Sequence, residues 1–154
     1  MKDNRCVKYN RHRSTNNIIY LPGVASFFLP VDRRMMITDI MSFSNRGVSY
    51  GNIVDFISGY QFFINNLGIY NIEFNIPVTE EASFAIRVDN QNGSIIYQNT
   101  RTSYRGSEFT TLTGTFTLQL SEGDIVVVTS VGTYSIVQNP PGLLSNAWLK
   151  FTRI

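Results

Sequence analysis

The chain has 154 residues, 43% hydrophobic and 16% charged, which fits one globular domain and excludes a disordered polymer. A domain of this length buries roughly two-thirds of the surface its unfolded chain exposes, so it needs no metal or disulfide staple, and no cofactor is expected. The net charge of +2 is uneven, because Lys2, Arg5, Lys8, Arg11 and Arg13 against Asp3 put residues 1–17 at +4 and leave the remainder at −2.

Residues 1–17 read as a flexible basic segment and residues 18–154 as the folded domain. A basic head either touches nucleic acid or an acidic partner, or is a solvated tail. It carries Cys6 and His12, the single cysteine and single histidine, so no intramolecular disulfide can form. Cys6 either cross-links chains or is an incidental thiol. The head lacks the apolar core of a secretory signal, and no run in the chain reaches the roughly 18 apolar residues of a membrane span.

From Ile18 onward, short apolar stretches alternate with turn residues, the pattern of a sandwich or barrel. Ile18 to Leu21 and Val24 to Leu29 form the first strands, divided by Pro22-Gly23 and closed by Pro30. Met35 to Phe43 favours extended structure over a short helix at Met35-Met36-Ile37, because Thr38 and the later β-branched residues resist helix. Ser44-Asn45-Arg46-Gly47 is a turn cluster. Tyr60, Phe62 and Ile64 then mark one buried face.

The clearest alternation follows, with Tyr70, Ile72, Phe74 and Ile76 pointing one way and Asn71, Glu73 and Asn75 the other. Slipping this strand by one residue would drive a carboxylate and two amides into the core. Phe84, Ile86 and Val88 repeat the pattern, and Asn92-Gly93 supplies positive-φ residues for a hairpin into Ile95 to Gln98. Arg101 to Ser107 is polar and reads as a loop. Phe116, Leu118 and Leu120 alternate again, and Ser121-Glu122-Gly123-Asp124 turns the chain into Ile125 to Val131. That run of Val and Ile fits a strand covered on both faces. Tyr134 to Val137 is a short strand, Asn139-Pro140-Pro141-Gly142 a loop, and Ala147 to Ile154 a final strand. The expected fold is therefore all-β, with about eight to ten strands.

The order of these motifs resembles the trimeric jelly-roll superfamily of tumour necrosis factor and the globular heads of complement-type and collagen-like proteins. The resemblance rests on the Gly68-Ile69-Tyr70 strand opening, the segment from Leu118 to Val126 through Glu122-Gly123-Asp124, and the terminal strand Leu149 to Ile154. It covers roughly residues 56–154 and is nearest to the carboxy-terminal heads of bacterial collagen-like spore-surface glycoproteins, although no Gly-X-Y stalk precedes the domain. What it implies is a TNF-like jelly-roll β-sandwich of about ten antiparallel strands that packs as a homotrimer. Trp148 then falls at an axial aromatic position, with Leu149 and Phe151 facing the protomer's own core and Asn71 and Glu73 near the axis. Trp148 could equally be an ordinary core or rim tryptophan, and three axial copies of Glu73 would repel one another unless paired.

Catalytic parts are missing. His12 sits alone in the basic head, no serine or cysteine triad can be built around it, no zinc ligand set exists, and no phosphate-binding glycine loop is present. Glu80-Glu81, Glu122 and Asp124 read as solvated turn charge; Asp89, Asn90 and Asn92 could hold a weak calcium ion or form a plain hairpin. Asn92-Gly93-Ser94 matches a glycosylation acceptor. The chain is thus expected to be a non-enzymatic surface or extracellular head. Ligand contacts are expected on loops at Arg101, Tyr104 and Arg105, at Tyr134, and from Val137 to Leu144. Two rivals remain: a viral capsid or fibre component whose basic head neutralises nucleic acid, and a lectin using Tyr104, Tyr134 or Trp148 as stacking platforms.

Overall fold

The computed structural model describes residues 22–29, 33–36, 40–43, 45–58, 60–78, 80–106, 108, 110–131, 134–137 and 147–154. The basic segment 1–17, the strand expected at 18–21 and the loop at 138–144 lie outside the described residues.

Twelve strands occur among the described residues: β1 (Gly23–Leu29), β2 (Arg33–Met36), β3 (Asn45–Tyr50), β4 (Val54–Phe56), β5 (Phe62–Ile64), β6 (Gly68–Val78), β7 (Ala82–Asn90), β8 (Gly93–Tyr104), β9 (Thr110–Leu120), β10 (Ile125–Ser130), β11 (Tyr134–Val137) and β12 (Ala147–Arg153). The larger sheet runs β2-β11-β6-β12-β1-β3, with β9 also paired to β6, and the smaller runs β4-β5-β10-β7-β8. Apart from β4-β5 and β7-β8 the neighbours are non-consecutive, so the chain crosses repeatedly between sheets, which is how a jelly roll closes.

Each sheet turns one face inward because its strands alternate. Tyr70, Ile72, Phe74 and Ile76 of β6 are buried, as are Leu149 and Phe151 of β12 and Phe84, Ile86 and Val88 of β7. Phe27 and Phe151 from the larger sheet meet Phe62 and Phe56 from the smaller, with the rings of Phe27 and Phe62 centred 4.6 Å apart. In β10, Val126, Val127 and Val128 are all buried, as expected of a strand covered on both faces.

Two local devices fix the strand ends. At the start of β6, Gly68 lies against Arg153, and a β-carbon there would stand 2.6 Å from the guanidinium Nε. The room that glycine leaves there, rather than its φ, admits the Arg153 side chain in this position. At Ser121–Asp124, Gly123 has a φ of +92° and the Asp124 carboxylate accepts a hydrogen bond from the Ser121 N–H at 2.8 Å, as the turn chemistry predicts.

Several expectations are corrected. Asn45–Gly47 is not a turn but the start of β3, because it pairs with β1 along the sheet edge and Gly47 leaves room for the ring of Phe28. Within Met35 to Phe43 the extended reading holds where the residues are described: Met35 and Met36 close β2, and Met41 donates its N–H to the Val128 carbonyl alongside β10, while residues 37–39 lie outside the described residues. Tyr60 is 41% exposed and does not join Phe62 and Ile64 in the core, because β5 begins only at Phe62. In the hairpin, Gln91 and Asn92 are the turn residues, and only Gly93 takes positive φ, at +120°. Asn92 is held instead by its N–H donating to Asn90 Oδ1 at 2.9 Å.

Candidate functional site

Alternation sets the composition of the larger sheet's outer face. Because Leu149 and Phe151 are buried, Trp148, Lys150 and Thr152 project to the opposite side of β12. The register then places Trp148 between Phe28 of β1 and Asn75 of β6, Lys150 between Ser26 and Glu73, and Thr152 between Val24 and Asn71. On the far side of β6, Thr113, Thr115 and Thr117 of β9 stand opposite Asn75, Glu73 and Asn71. Trp148, Asn71 and Glu73, expected together on one face, do share it.

This face has an apolar spot at each end and a polar centre. At one end Phe28 and Trp148, with Ser26, Glu73 and Lys150, line an open hollow of about 350 Å³. At the other, Ile69 (47% exposed) and Ile154 (66% exposed) stand beside Leu67. In the centre the Lys150 ammonium lies 3.1 Å from the Glu73 carboxylate, the two side chains being 39% and 26% exposed. The Thr117 hydroxyl donates to Asn71 Oδ1 at 3.3 Å. Glu73 and Lys150 are the only charged side chains among the described outward-facing residues of β1, β6, β9 and β12.

Phe28 and Lys150 were not among the expected site residues. Both had a readable signal: Phe28 alternates with the buried Ala25 and Phe27, and Lys150 is two residues from Trp148. What the sequence lacked was the pairing of β1 and β6 on either side of β12.

A second surface lies along the flank where β8 and β9, the last strands of their sheets, face each other. Ile95 pairs with the buried Val88 and so points to the sandwich interior, yet it is 52% exposed because, among the described residues, no strand lies beyond β8. Tyr97, Tyr104 and Phe116 are likewise only partly covered as they pack against the core.

The expected ligand loop is corrected here. Arg101 and Tyr104 belong to β8, and only Arg105 lies past its end. Arg101 donates through Nε to Ser83 Oγ at 2.9 Å, which ties the polar stretch to β7. Tyr104 is half-buried as it packs against the core, and its hydroxyl accepts from the Glu108 N–H at 3.4 Å. Tyr134 lies in β11, with its backbone opposite Met36. Asp89, considered as a calcium ligand, is instead gripped by Arg87 through two contacts of 2.8 Å.

No protein-family model and no curated protein sequence matches the chain. Solved structures do. Murine APRIL superposes with a TM-score of 0.67 at 14% identity, over 87% of this chain and 100% of that one. The Eiger TNF of S. frugiperda gives 0.70 at 11% identity, covering 87% and 94%, and the globular domain of zebrafish complement 1qA gives 0.61 at 12%, covering 86% and 95%. The fold is therefore a TNF-like jelly roll.

Proposed function

We propose that the chain is a non-catalytic head domain that assembles as a homotrimer through the outer face of its larger sheet and presents a ligand-binding or adhesive surface outside a cell, spore or virion. The observation that carries this reading is the composition of that face across β1, β6, β9 and β12: two apolar ends, a band of Thr and Asn, and, among the described outward residues of those strands, a single self-neutralising charge pair. Depletion of charge is the mark of surfaces that become the core of a contact between proteins. The same chain holds a second apolar surface, the half-covered flank of β8 and β9, and a face-to-flank contact between copies is head-to-tail, the kind that forms a ring when the rotation between copies closes.

The resemblance to trimeric heads supports three as the number of copies, and likeness to the heads of spore-surface glycoproteins supports an exterior location. Arg101 and Arg105, both exposed at the end of β8, together with Tyr104 and Tyr134, are the candidates for ligand contacts. Light scattering at micromolar concentration tests the reading. A mass of three chains is expected, and a monomer mass would refute it.

A further inference from the structure

Glu73 and Lys150 occupy an unusual position. They are joined at 3.1 Å across neighbouring strands, in the centre of a face whose other described outward residues on β1, β6, β9 and β12 are uncharged. The groups around them are Ser26 on β1, Thr115 on β9, Asn71 and Asn75 on β6, and Trp148 and Thr152 on β12. None of these can act as a counter-ion if either member is lost. On a lone protomer both side chains are partly in water, where such a pair contributes little to the fold. Once the face is covered, an unpaired charge would be stranded without solvent, and removing one partner of a buried pair is far more damaging than removing both.

We propose that the Glu73–Lys150 pair is the selectivity element of the assembly face: matched, it keeps the face neutral so that a second copy of this chain can cover it, and either charge alone bars closure. This rests on the homotrimer reading. The occupant is a sister chain because the chain carries the cover itself, an apolar flank with Ile95 half exposed on an unpaired edge strand. Symmetry multiplies the effect, since a lone charge on one copy leaves the same uncompensated charge in every face-to-flank contact of the assembly.

The test compares four full-length proteins by sedimentation equilibrium: the parent, Glu73→Gln, Lys150→Met, and the double variant. Each single variant is expected to associate at least about 100-fold more weakly than the parent, while the double variant recovers to within about tenfold. Far-ultraviolet circular dichroism and a urea melt of each protein establish that the protomers are folded. A parent trimer whose single variants associate unchanged overturns the proposal, and so does a double variant as weak as the singles. A monomeric parent removes the homotrimer reading itself, and with it this one.

Discussion

Trp148 shows how much one side chain's role depends on its cross-strand neighbours. Alternation along β12 is enough to send Leu149 and Phe151 inward and Trp148 outward, and the structure agrees. It is the pairing with Phe28 that turns an outward tryptophan into one wall of a hollow. Truncating a large aromatic buried in a contact commonly costs upwards of about 2 kcal/mol, mostly through lost apolar area. Trp148→Ala is therefore expected to weaken assembly more than Trp148→Phe, which keeps a ring in the hollow. Dissociation constants from sedimentation equilibrium check this, and equal values would remove Trp148 from the contact.

Among the elements, β8 departs most from its sequence reading. Its second half, Arg101–Tyr104, lacks the apolar alternation of a buried strand, because an edge strand needs only one covered side and polar residues satisfy the other. The register also shifts between Phe84 and Ile86 of the partner strand, so the alternation is broken midway. Thr100 repairs the break: its buried hydroxyl accepts from the Ile86 N–H at 2.8 Å and donates to the Tyr97 carbonyl at 2.6 Å. Thr100→Val leaves that buried N–H unpaired and is expected to lower stability by about 1–3 kcal/mol in urea denaturation. Thr100→Ser, which keeps the hydroxyl, should lose much less. Equal losses in the two variants would show that the hydroxyl matters no more there than the methyl group.

For the molecule as a whole, two ionisable groups bracket the pH range of stability. Burial pushes the Tyr70 phenol above its ordinary value, with the charge of Arg153 opposing, while its hydroxyl donates to the Asn66 carbonyl at 2.7 Å. A raised acid favours the folded state while neutral, so this contribution is complete below about pH 10 and falls away above it. Burial also pulls the Asp89 carboxyl upward, but hydrogen bonds from Arg87 and Ser94 and the Arg87 charge outweigh it and hold the group below its usual range. Its contribution is present above about pH 4 and lost as the pH falls further. Unfolding midpoints measured across pH should decline at both ends. Tyr70→Phe is expected to flatten the alkaline decline and Asp89→Asn to reduce the acid one, and an unchanged profile in either variant would refute its assignment.

While the facing of β12 came from the family resemblance, the sequence by itself determined the all-β class, the inward and outward rows of β6 and β9, and the turn at Ser121–Asp124. These follow from two-residue periodicity and local turn chemistry, which involve residues close along the chain. Only the tertiary structure decided that β3 begins at Asn45, that Arg101–Tyr104 is strand, and that Phe28 and Lys150 join Trp148 and Glu73. Each of these depends on which distant strand lies alongside, and a jelly roll makes its neighbours from segments far apart in sequence. The pair on the assembly face, 77 residues apart along the chain, is the case in point.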